Sequence, residues 1–142
     1  MSEIITSVNL ILAFILGSGI GWFREKEKKT AGMRTHILVC LGSALFMVLS
    51  AKMMALSAGA DPGRLAAGVA TGIGFIGAGC IVQTGSGVRG ITTAASIWVT
   101  AAIGIAAGAG FYVEAVVSAI LTIAALQVIR TFEAHYFKTK EE

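Results

Sequence analysis

No charged residue interrupts residues 4–23, and four more apolar segments follow over residues 35–58, 65–82, 91–107 and 112–129, broken only by Lys52 and Glu114. Crossing ~30 Å of hydrocarbon takes ~20 helical residues at ~1.5 Å each, with ~17 as the lower limit. All five segments reach that length. A helix satisfies its own backbone polar groups in lipid, so the expected fold class is all-α, a polytopic transmembrane bundle of about five spanning helices. Gly108-Ala109-Gly110 alone divides the last two segments, but together they are too long for one crossing, so two helices and a tight turn are expected. The domain reading is a transmembrane domain over residues 1–130 and a short cytoplasmic tail over 131–142.

Composition agrees. Hydrophobic residues make up 56% and charged residues 13%, with 18 glycines and a single proline. A soluble domain carries about 25% charge, and five such blocks could not all be buried in a chain this short. The net charge of +3 would suggest nucleic acid in a soluble protein, but here it reports orientation, and no nucleic-acid partner is expected. Arg24, Lys26, Lys28, Lys29, Arg34, Arg89, Arg130, Lys138 and Lys140 fall on one side of a five-crossing topology, which leaves only Lys52 and Arg64 on the other. The positive-inside rule then puts the N-terminus outside and the C-terminus in the cytoplasm. Met1-Ser2-Glu3 precedes a run too long for a signal peptide, so no cleaved leader is expected.

Helix contacts in lipid rely on small residues, because apolar surface gains little by leaving lipid tails. Three GxxxG pairs fall on the expected helices: Gly17 and Gly21, Gly68 and Gly72, and Gly104 and Gly108. The last continues a ridge of Thr92, Ser96 and Thr100 at every fourth position. Such a ridge is a packing seam or the lining of a polar pore. Gly72-Ile73-Gly74-Phe75-Ile76-Gly77 matches a dinucleotide fingerprint in letters only. It follows no strand, and no acidic residue occurs over 91–102. Close helix contact or local unwinding is the expectation there.

Asp61 suits a helix N-cap, with Pro62 at the first helical position and Arg64 placed to pair with Asp61 across the first turn. The alternative for this segment is a cation-attracting or partner-binding outer vestibule. Residues 83–90 form a glycine-rich hairpin loop on the cytoplasmic side, with Arg89 either anchoring at the interface or folding back toward protein or lipid phosphate. Glu114, in the first turn of the last helix, either reaches water or acts as a functional carboxylate beside hydrocarbon. Mid-helix Trp98 is expected to pack in the bundle with its N–H bonded. Cys40 and Cys80 read as buried small hydrophobes. His36 and His135 have no ligand at metal spacing. No nucleophile–base order exists, so the chain is not expected to be an enzyme and no cofactor is expected.

Arg24 followed by Lys29-Thr30-Ala31-Gly32-Met33-Arg34-Thr35 resembles the first cytoplasmic loop of the MgtC/SapB family. Asp61-Pro62-x-Arg64 with the glycine run from Gly72 to Gly79 resembles the family's central signature, and the stretch from Val88 through Thr93 to Trp98 its fourth-helix signature. The resemblance covers about residues 10–130 and implies a bacterial inner-membrane protein tied to magnesium limitation, survival inside host cells and membrane energetics. It carries over Arg24, Arg34, Asp61, Arg64, Arg89, Thr93 and Trp98, with Asp61 and Glu114 as weak metal candidates. Position 92 is Thr where some members have Asn, and this chain is expected to lack the soluble cytoplasmic domain of longer members. The expected function is a non-enzymatic module acting by helix–helix contact with itself or another membrane protein. The alternative is a transporter or channel for Mg²⁺ or another cation, working as an oligomer.

Overall fold

Ser2 starts the first helix by accepting a hydrogen bond from the Ile5 amide at 3.4 Å, and α1 runs Glu3–Lys26. The computed structural model describes residues 2–56, 61–85 and 87–129. Ser86 and the tail bearing Arg130, His135, Lys138 and Lys140 lie outside these residues. After α1 come α2 (Met33–Leu56), α3 (Pro62–Ala78), a hairpin of β1 (Val82–Thr84) and β2 (Gly87–Arg89), α4 (Ile91–Ala109) and α5 (Tyr112–Ala124). A π-helical turn, Ala125–Ile129, extends α5. The molecule is thus all-α apart from the hairpin. Helices α1, α2 and α4 are long and apolar enough to cross a membrane, while α3 and α5 are shorter apolar helices.

Local chemistry sets the boundaries. Lys28 adopts a positive φ of 52° after α1, and the Glu25 carboxylate then accepts from the Met33 amide at 3.0 Å to cap α2. Asp61 caps α3 as expected, its Oδ1 accepting from the Gly63 amide at 2.8 Å. The third apolar segment continues to Val82, but α3 ends at Ala78 and stays helical from Gly72 to Gly77, with no local unwinding there. Beyond it, Val82 pairs with Arg89 in the antiparallel hairpin. Gly90, at φ +94°, passes so close to the Cys80 carbonyl that a side chain there would collide with it. Gly110 closes α4 in the left-handed region and begins the tight turn to α5.

α4 sits at the centre and contacts all four other helices. α2 is wedged between α1 and α4, and the reason lies in two of the three glycine pairs. A Cβ at Gly17 would stand 2.8 Å from the His36 carbonyl oxygen, and one at Gly21 would stand 2.5 Å from the Met33 Cα. On the other face of α2, a Cβ at Gly104 would run into the Cys40 carbonyl and stand 2.9 Å from the Ser43 Cβ. One at Gly108 would stand 2.8 Å from the Ala44 Cα. Backbones approach this closely only where Cβ atoms are missing. The core around this seam holds Ala13, Ile20, Cys40, Ala44, Ile103 and Ala107. Gly68 and Gly72 differ: nothing within the described chain lies within 4 Å of where their Cβ atoms would be. They line an open groove between α2 and α3, so this third pair packs against no helix among the described residues.

Candidate functional site

Two polar networks brace the bundle near its opposite ends. The first begins at Arg24 in the last turn of α1, which is only 2% exposed. Its Nη2 donates to Thr93 Oγ1 at 2.7 Å, and its Nη1 lies 3.6 Å from the Glu27 carboxylate. Gln127 in turn donates to Glu27 at 2.7 Å, which ties the end of α5 to α1. A buried guanidinium needs such partners, since an isolated charge in this surrounding would be costly.

From Thr93 the network descends the inner face of α4. Fully buried His36 has Nδ1 at 2.8 Å from the Gly32 carbonyl, which can only accept, so Nδ1 carries a proton. Its Nε2 lies 3.2 Å from Ser96 Oγ, which also sits 2.8 Å from the Thr93 carbonyl. Thr100 donates to the Ser96 carbonyl at 2.7 Å. Ser96 and Thr100 therefore belong to a packed polar seam.

Outside this network, toward the hairpin, is a cleft of about 750 Å³ lined by Arg24, Lys28, Lys29, Arg89, Thr30 and Thr92 among others. Four cations there face one lining carboxylate, Glu27. At the far end, Lys52 pairs with Glu3 at 3.1 Å. Buried Asn9 donates to the Gly108 carbonyl at 3.0 Å and accepts from the Tyr112 hydroxyl at 2.7 Å, joining α1, α4 and α5. A third feature is the groove between α2 and α3, about 840 Å³, with Asp61 and Arg64 lining it together with Gly42, Gly68 and Gly72.

Of the residues singled out in the sequence, Arg24 and Thr93 meet directly, and Arg89 lines the cleft beside them. Arg34, Asp61, Arg64 and Glu114 are exposed. Arg64 makes no ion pair with Asp61 among the described residues, where Lys52–Glu3 and Arg24–Glu27 are the pairs formed. Trp98 corrects the expectation of a packed indole: it is 52% exposed and faces out of the bundle. Thr92, assigned to the α4 ridge, is exposed, and Thr93 occupies the buried position instead. Cys40 is buried, but Cys80 only partly so. The sequence expectations do not include Asn9 or the buried bonding of His36, although each is a polar side chain inside an apolar run, a signal in its own right. Among the described residues no three His, Cys, Asp or Glu side chains gather as a metal cluster.

Apolar helices that expose Phe14, Phe46, Phe75 and Trp98 while burying Arg24, His36 and Asn9 define an integral membrane protein of the helical class. The chain belongs to the MgtC family, whose model matches residues 10–135. It is 47% identical over 126 residues to the "Putative magnesium transporter YhiD" of Escherichia coli K12, covering 85% of this chain and 59% of that protein. It is 42% identical over 125 residues to Protein MgtC of Brucella abortus, covering 88% and 51%, and 41% identical over 123 residues to Protein MgtC of Salmonella typhimurium LT2, covering 87% and 52%. The chain therefore spans little more than half the length of these relatives. No solved structure matches it.

Proposed function

We propose that this chain is a non-enzymatic membrane module of magnesium homeostasis or membrane energetics that acts by pairing with a second copy of itself. It would lie in the cytoplasmic membrane with its N-terminus outside, the orientation favoured by the basic residues gathered near Lys28, Lys29 and Arg89. The observation that carries this reading is the unequal fate of three like motifs. Two GxxxG pairs are consumed against α2, whereas Gly68 and Gly72 of α3 meet no neighbour among the described residues and lie across a groove from Gly42. A small-residue face left free in lipid is the surface on which another helix packs closely.

The test is stoichiometry in liposomes by single-molecule photobleaching, on wild type and Gly72→Leu. Pairing lost in the variant, with helicity kept, supports the module; wild-type monomers, or pairing indifferent to Gly72→Leu, reject it. A second reading, Mg²⁺ transport, is favoured by the name of the Escherichia coli relative and by the exposed carboxylates Asp61 and Glu114 at helix starts. Mg²⁺ keeps several waters and binds through one or two carboxylates, so paired copies would supply more of them. Cation flux in proteoliposomes abolished by Asp61→Asn or Glu114→Gln would favour transport over the module.

A further inference from the structure

We infer that the cleft between the α1–α2 turn, the hairpin and the start of α4 binds a phosphoryl group, presented by the headgroup of an anionic lipid. Three observations meet there. The first is charge: Lys28, Lys29 and Arg89 are exposed and share the lining with buried Arg24, against Glu27 alone, whose carboxylate faces Arg24 and Gln127. An anion entering the cleft meets excess positive charge, with attraction to buried Arg24 the least screened.

The second is construction. Lys28 holds the left-handed conformation, while its amide donates to the Glu25 carbonyl at 2.9 Å and that of Lys29 to the Arg24 carbonyl at 3.1 Å. The turn is thus folded back on α1 with both lysines lining the cleft. On the opposite wall, α4 begins at Gly90, which offers no side chain to cap the first-turn amides, and Thr92 and Thr30 also line the cleft. Cations, hydroxyls and the positive end of a helix from separate elements suit an oxyanion with several acceptors better than a planar carboxylate.

The third is location. Val82, Val88 and Ile91 are each more than half exposed beside Arg89. A surface that mixes bare aliphatic side chains with arginine and lysine matches the headgroup level of a bilayer. That favours lipid over a soluble phosphate as the source. The site is independent of the α3 face invoked above, so each can fail without the other.

The test uses the full chain in an uncharged detergent, titrated with phosphatidylglycerol or phosphatidylcholine and read by native mass spectrometry, with inorganic phosphate as competitor. The variants are Lys28→Asn, chosen because Asn tolerates a positive φ, and Arg89→Gln, with Lys52→Gln at the far end as control. Preferential retention of phosphatidylglycerol, weakened about fivefold by each cleft variant and unchanged in the control, supports the lipid-bound phosphoryl group. Phosphate binding sensitive to the same variants, without lipid preference, supports the cleft and assigns it a soluble ligand. Equal retention of both lipids with no phosphate binding overturns the proposal, as does a loss reproduced by Lys52→Gln.

Discussion

Gly104→Ala tests the packing logic most directly, because the neighbours of the added methyl cannot retreat. The new Cβ would stand 2.9 Å from the Ser43 Cβ and collide with the Cys40 carbonyl. Comfortable carbon–carbon contact is about 3.5–4.0 Å, so α2 must move away from α4 by roughly 0.6–1 Å. On its other side α2 already rests on α1, where even an imagined Cβ at Gly17 lies 2.8 Å from the His36 carbonyl oxygen. There is no slack in which to move. Overpacking of this kind costs about 1–3 kcal/mol, and the upper part of that range applies when backbone atoms are struck. The gain in helix propensity from Gly to Ala, at most about 1 kcal/mol, offsets part of it, which leaves a net loss of about 2 kcal/mol. Gly74→Ala, on the side of α3 away from the groove, is the matched contrast: the same methyl meets nothing within 4 Å, so only the propensity gain of up to about 1 kcal/mol remains. Both are measured by SDS-driven unfolding in mixed micelles, with helicity at 222 nm as readout. Gly104→Ala within 0.5 kcal/mol of wild type, or Gly74→Ala equally harmful, would refute the sandwich as described.

Thr93→Val keeps the side-chain shape but removes the oxygen that accepts from Arg24 at 2.7 Å. A loss of about 1–3 kcal/mol in the same unfolding assay is expected, with Thr93→Ser close to wild type. Tyr112→Phe deletes the donor to Asn9 Oδ1 and should cost about 1 kcal/mol by the same measurement. Trp98→Leu removes an outward-facing ring and should change unfolding by no more than about 0.5 kcal/mol, while moving the tryptophan emission spectrum.

Helix existence was legible because apolar length is a local property, and the Asp61 cap because its hydrogen bond spans two residues. Facing was less so. A row at every fourth position drifts about 40° per step on a helix of 3.6 residues per turn, which is why Ser96, Thr100, Gly104 and Gly108 are buried while Thr92 swings out. Trp98 lies about 200° around the helix from both Ser96 and Thr100, so once those positions face inward the indole must face lipid. Asn9 was opaque for a different reason. Its partners lie 99 and 103 residues away, and no local pattern announces a bond of that reach.

The glycine pairs mark where local reading ends. Gly17–Gly21, Gly68–Gly72 and Gly104–Gly108 are the same motif in letters, yet two are filled by α2 and one is empty. What separates them is the second surface. Cys40, Ser43 and Ala44 let α4 approach one face of α2, and the backbone at Met33 and His36 lets α1 approach another. Those two contacts hold α2 from both sides, and α3 then rests mainly on α4, where a Cβ at Gly77 would stand 3.5 Å from that of Ala94. Its own glycine face is left beside the groove. A motif that only permits close approach cannot name what approaches; geometry assigns two of the three, and the third is where a second chain has room to pack.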